Sequence, residues 1–103
     1  MSITLFIDTS EINTAKVAVE IDGKRFEKVS ESRVMKSQMV LPLIETLLNE
    51  QKVKFTDITE INVVTGPGSF TGLRVGATVA NALGYLLDIP VNGKKTLAIP
   101  TYS

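Results

Sequence analysis

Apolar and polar residues alternate from the start of the chain. Ile3, Leu5 and Ile7 interleave with Thr4, Phe6 and Asp8, and the pattern breaks at the polar turn Thr9-Ser10-Glu11-Ile12-Asn13. A period of two marks a strand with one buried face. The alternation resumes with Ala15, Val17, Val19 and Ile21 set against Lys16, Ala18, Glu20 and Asp22. Asp22-Gly23 then predicts a tight hairpin, because both central positions of a type I′ turn need positive φ. A third, more charged strand over about residues 24–30 completes a set of three short antiparallel strands.

The period next changes to that of a helix. Over about 36–51, Val40, Ile44, Leu47, Leu48 and Gln51 share one face, while Glu45, Asn49 and Glu50 point to water. Pro42 fits only within the first turn, where its missing N–H costs no intrahelical bond, so the helix is expected to start between Ser37 and Val40. A short helical turn at Asp57-Ile58-Thr59 and a buried strand over 60–65, built on Ile61, Val63 and Val64, follow. Gly66-Pro67-Gly68-Ser69-Phe70-Thr71-Gly72 joins that strand to a second helix over about 71–87, with Ser69 or Phe70 near the N-cap. Ile89-Pro90 ends this helix, since a residue before proline avoids the α region. Pro90-Val91-Asn92 can form one last short strand.

The second helix is unusual in being apolar or small nearly all round. Arg74, Thr78, Asn81, Tyr85 and Asp88 fall in one stripe, whereas a surface helix of a small domain is polar over most of its girth. Gly72, Gly76, Ala80 and Gly84 make an i, i+4 row of small residues beside Leu73, Leu83 and Leu87. Val75, Val79, Ala82 and Leu86 make a second apolar face about a quarter-turn away. Helix glycines cost about 1 kcal/mol each relative to alanine, so such a row implies close backbone approach. Either the chain's own sheet and first helix cover both faces, or part of the surface meets another polypeptide. Met35, Met39 and Leu43 on the first helix extend the candidate interface, and so few other elements can cover it that the second reading is preferred. On that reading, leucine at Gly76 or Ala80 should abolish pairing and leave the sheet folded.

Composition narrows the chemistry. The 103 residues contain 11 Lys+Arg and 11 Asp+Glu, so no net charge draws the chain to nucleic acid or an anionic bilayer. There is no Cys and no His, which removes thiolate chemistry, disulfides, the usual neutral-pH proton carrier and the commonest transition-metal ligand. No cofactor and no metal are expected. Arg74, Asn81 and Asp88 interrupt the longest apolar stretch, so no membrane contact is expected, and the default location is cytoplasmic.

The glycine-rich loop invites a phosphate-binding reading, but Gly72 is followed by Leu73-Arg74 rather than Lys and Ser/Thr, and Thr71 stands where G-x-G-x-x-G needs glycine. A structural role for Gly66, Pro67, Gly68 and Ser69 is therefore preferred. Asp8, Thr9 and Ser10, at the end of the first strand, either hold a metal–phosphate pair or cap a turn.

The run from Val63 to Gly76, Val-Val-Thr-Gly-Pro-Gly-Ser-Phe-Thr-Gly-Leu-Arg-Val-Gly, resembles the signature of the TsaB (YeaZ) family of tRNA threonylcarbamoyladenosine biosynthesis proteins. Ile89-Pro90-Val91, the opening Leu5-Phe6-Ile7-Asp8-Thr9-Ser10 and Leu41-Pro42-Leu43-Ile44 agree in order and spacing. The resemblance covers nearly the whole chain as a single domain, 1–103, and corresponds to the N-terminal half of a family whose members usually carry a second domain. It implies an α/β fold: half of an actin-like ATPase (ribonuclease H-like) fold, with a five-stranded mixed sheet in the order 3-2-1-4-5 and two main helices. It also implies a non-catalytic subunit that binds TsaD, the transferase acting on adenosine 37 of tRNA, with an ATPase, TsaE, as a further possible partner. tRNA would be engaged only indirectly, and a homodimer would form in isolation. The two helices are the surface the family uses for pairing. Where relatives often keep a histidine on the first helix, this chain has Lys36. The competing function is a weak Mg²⁺-dependent nucleotide-binding or ATPase domain that uses Asp8, Thr9 and Ser10 and is completed by dimerisation.

Overall fold

The fold is seen in a computed structural model that describes residues 2–31 and 38–95. Strands β1 (Ile3–Asp8), β2 (Thr14–Ile21) and β3 (Lys24–Glu31) form an antiparallel meander. Asp22 and Gly23 turn the β2–β3 hairpin with φ of 48° and 90°, the positive pair the dipeptide predicts. Helix α1 (Val40–Glu50) leads to a 3₁₀ turn at Phe55–Asp57, two residues before the expected one. Strand β4 (Glu60–Val63) then pairs parallel to β1, with Leu5 opposite Ile61 and Ile7 opposite Val63. Helix α2 (Phe70–Leu87) follows the glycine-rich loop.

The sheet has four strands in the order β3-β2-β1-β4, not the five expected. Among the described residues the fifth position is occupied by Val91 alone, through a parallel bridge to Ile61. Extension stops there because Asn92 and Gly93 have φ of 52° and 79°, which turns the chain back so that Val91 pairs with Lys94. β4 ends at Val63 rather than Thr65.

Both helices cover the same face of the sheet, α1 over β2 and β3, α2 over β4 and β1. The alternation explains this directly. Ile3, Leu5 and Ile7 of β1, Ala15, Val17 and Val19 of β2, and Ile61 and Val63 of β4 are buried in one core with Val40, Ile44, Leu47 and Leu48 of α1. Each fully buried Leu or Ile contributes about 1.5–3 kcal/mol, so this seam dominates the stability. The opposite face carries Lys16, Glu20, Arg25 and Glu27, and the Arg25 guanidinium lies 4.5 Å from the Phe6 ring centroid. A polar second face is what an antiparallel sheet tolerates in water.

Helix boundaries follow local chemistry. Pro42 is the third residue of α1, where an N–H has no intrahelical acceptor to lose. Ser69 caps α2, its hydroxyl accepting from the Gly72 N–H at 3.3 Å. At the other end Asp88 adopts the left-handed conformation and the Ile89 N–H donates to the Gly84 carbonyl at 3.0 Å, a Schellman closure. No helix among the described residues is long and apolar enough to cross a membrane.

Candidate functional site

The end of β1 and the glycine-rich loop are knitted into one unit. Thr9 is fully buried and its hydroxyl donates to the Gly72 carbonyl at 2.5 Å. The Ser10 carbonyl accepts from the Ser69 N–H at 2.8 Å, and the Ser10 N–H and hydroxyl both donate to Asp8 Oδ1, at 3.0 and 2.6 Å. Gly68 passes so close to Ser10 that a Cβ placed on it would lie 2.7 Å from the Ser10 Cβ and 2.8 Å from the Ser10 carbonyl oxygen. The Thr9 hydroxyl thus donates across the strand-to-helix connection, while the half-buried Ser10 hydroxyl donates locally to Asp8. Gly66 and Ser69 are half-buried, Pro67 and Gly68 exposed. Among the described residues no group of three His, Cys, Asp or Glu side chains is placed to hold a metal ion.

The glycine row of α2 faces inward. A Cβ on Gly76 would collide with the Thr9 hydroxyl and sit 3.4 Å from Val63 Cγ2 and 3.5 Å from Ile7 Cγ2, so this helix lies almost directly on the ends of β1 and β4. At Gly84 the corresponding atom would meet Val91 Cγ2 at 2.5 Å. Gly72, Leu73, Gly76, Ala80 and Gly84, expected to line an interface, are therefore buried against the chain's own sheet. The helix backbone does come close at these glycines, but to side chains of the chain's own sheet, Thr9, Val63 and Ile7, and of Val91. Of the other expected interface residues, Met39, Leu43, Leu83 and Leu87 are half-buried, and Met35 lies outside the described residues.

The second apolar face is covered only in part, its Val75 and Val79 packing against the core. Val75 and Val79 are half-buried at its base, Ala82 is exposed, and Leu86 is 74% exposed. Tyr85, at 85%, flanks Leu86 on the polar stripe, and Leu41 of α1 is exposed at 45%. At the start of α2 the exposed Phe70 ring lies under the Arg74 guanidinium, 5.5 Å away. The exposed members fall outside the residues expected at the interface. The signal that distinguishes the sheet-facing side is the run of small residues, Gly76, Ala80 and Gly84, along which the helix closes on the chain's own core.

A parallel pairing of β1 with β4 beside an antiparallel meander, two helices on one face and a structural loop at the strand ends define half of an actin-like, ribonuclease H-like domain. A family model described as "TsaD: tRNA N6-adenosine threonylcarbamoyltransferase" matches residues 32–103. The chain is 33% identical over 93 residues to the Bacillus subtilis (strain 168) protein named tRNA threonylcarbamoyladenosine biosynthesis protein TsaB, covering 90% of this chain and 41% of that one. It is 36% identical over 61 residues to the Escherichia coli (strain K12) protein of the same name, covering 59% of this chain and 26% of that one. The solved structure of YeaZ from Pseudomonas aeruginosa matches with a TM-score of 0.81 at 32% identity, over 88% of this chain and 42% of that one. The chain belongs to the TsaB (YeaZ) family, within the wider set of sequences the transferase's family model matches. It spans less than half the length of these relatives.

Proposed function

We propose that this chain acts as a non-catalytic partner subunit in the formation of N6-threonylcarbamoyladenosine at position 37 of tRNA, docking on a TsaD-like catalytic subunit through the outer face of α2 and the adjoining flank of α1. The observation that carries this reading is the stripe of Val75, Val79, Ala82 and Leu86, apolar along its length and reaching 74% exposure at Leu86. An apolar helix face left open beside a small core marks a site of protein association. The names of the relatives supply the pathway. A scaffold role is supported by the chemistry at hand. The chain has neither His nor Cys, and Thr9 and Ser10 spend their hydroxyls on the loop and on Asp8. In isolation the same face closes on a second copy, a TsaE-like ATPase joins the assembled pair, and tRNA is met only through the partner.

The test is size-exclusion chromatography with light scattering on the chain alone and mixed with a TsaD-like subunit. The expected result is a homodimer that converts to a mixed complex, and a Leu86→Lys variant that forms neither while keeping the parent's circular dichroism spectrum. A variant that still assembles with unchanged affinity would place the docking surface elsewhere.

A further inference from the structure

Asn92 fastens the end of the chain's last sheet contact to β4 by three hydrogen bonds. Its N–H donates to the Ile61 carbonyl at 2.8 Å. Its side-chain Oδ1 accepts from the Val63 N–H at 2.8 Å, and its Nδ2 donates to the Val63 carbonyl at 3.1 Å. The amide thereby supplies the acceptor and the donor that the carbonyl of residue 92 and the N–H of residue 94 would have offered in a continued parallel strand, and it blunts an otherwise open sheet edge. The backbone cannot do so itself, because Asn92 and Gly93 form a tight turn closed by the Val91 N–H on the Lys94 carbonyl at 2.8 Å and the reverse bond at 3.1 Å.

The same dipeptide has an intrinsic reactivity. Glycine has no side chain to shield its backbone nitrogen, so Asn-Gly is the pair in which that nitrogen most readily attacks the asparagine side chain. Of the asparagines at 13, 49, 62, 81 and 92, only Asn92 precedes glycine. We infer that Asn92 is a deamidation site whose reaction is gated by opening of the β4 edge.

In the reaction the Gly93 nitrogen gives its proton to water and bonds to Asn92 Cγ. The bond from Cγ to the side-chain nitrogen breaks, that nitrogen takes a proton back from water and leaves as ammonia, and a five-membered imide remains. Water opens the imide at either carbonyl, giving aspartate or isoaspartate. One water is consumed and one ammonia released, with nothing oxidised or reduced. The gate follows from geometry. Attack makes Cγ tetrahedral, whereas the clamp requires Oδ1 and Nδ2 to lie in one plane facing Val63. Both bonds must break first. Afterwards an oxygen stands where Nδ2 stood, facing the Val63 carbonyl oxygen with nothing to donate, so the clamp does not re-form.

The experiment uses the unmodified chain, incubated at mildly alkaline pH in native buffer and in denaturant. Tryptic cleavage after Arg74 and Lys94 yields one peptide, 75–94, that holds both Asn81 and Asn92, so Asn81 serves as an internal control. In denaturant, fragment masses should show conversion at Asn92 and little at Asn81. In native buffer conversion at Asn92 should be slower by about tenfold or more, the factor set by the local opening equilibrium. Equal rates in the two buffers overturn the gate, and conversion in denaturant no faster at Asn92 than at Asn81 overturns the site. An Asn92→Asp variant should melt below the parent, and an unchanged melting temperature overturns the clamp's loss.

Discussion

On the side of α2 that meets the sheet, Gly76 lies so near Thr9, Val63 and Ile7 that a single added carbon has no room, whereas a quarter-turn away Leu86 projects into solvent at 74% exposure. Both faces are apolar in the one-letter code. The difference is one of size: the small residues mark where the helix backbone closes on side chains of the sheet, and Leu86 marks where the surface is still free to take a partner. Apolar character alone does not identify an interface, but apolar bulk on a helix already seated through its glycines does.

The sharpest way to break this contrast is Gly76→Leu. The substitution that would separate pairing from folding, were the glycine row an outer seam, here strikes the fold. Overpacking a closed core typically costs 1–3 kcal/mol and occasionally more, and the new side chain must displace the Thr9 hydroxyl and two core branches, so a loss at or above ~3 kcal/mol is expected. Urea unfolding measures it. A Gly76→Leu protein as stable as its parent would show that α2 is not seated on its glycines. Next comes Thr9→Val, which keeps the shape but removes the buried donor to the Gly72 carbonyl. The carbonyl keeps its helical partner, so only the extra bond is lost, at a cost of about 0.5–1.5 kcal/mol, again read by urea unfolding. Ser69→Ala, which removes the N-cap acceptor for the Gly72 N–H, should cost about 1 kcal/mol in the same assay.

Much of the fold is legible from short-range patterning. The three-strand meander follows from alternation and from Asp22-Gly23, and α2 begins one residue before and ends at the residue its periodicity indicates. Both features depend on interactions within a few residues. The fifth strand depends on a longer-range competition. Ile89-Pro90-Val91 reads as extended, yet Asn92-Gly93 carries the same hairpin signal as Asp22-Gly23, and the turn wins because the Asn92 side chain can satisfy Val63 where a strand backbone would have. The interface residues are lost for a related reason. Periodicity sorts α2 into faces, but only the close passage of Gly76 over Ile7 and Val63, 69 and 13 positions earlier in the chain, says which face meets the sheet. Asp8, Thr9 and Ser10 are similar: the spacing favours a turn cap over a metal–phosphate site, but the bonds to Gly72 and Ser69 join segments about 60 positions apart and are not legible in it.

The smallest expected effect on stability is the most informative for function. Leu86 sits on the outer face, away from the glycine row, and exposed substitutions away from caps and cores usually fall within ~0.5 kcal/mol. Leu86→Lys should therefore leave the urea midpoint nearly unchanged. Its effect on association should be large by comparison. Burying an exposed leucine on a partner is worth about 1.5–3 kcal/mol, which corresponds to a loss of roughly tenfold to a hundredfold in affinity when the side chain is lost. A lysine adds the cost of desolvating a charge within an apolar patch. Gly76→Leu is expected to do the converse, abolishing pairing only by unfolding the protein. Measured together, the two variants separate the face that builds the domain from the face that is free to bind. If Leu86→Lys lowered stability as much as Gly76→Leu while sparing association, the assignment of the two faces would have to be reversed.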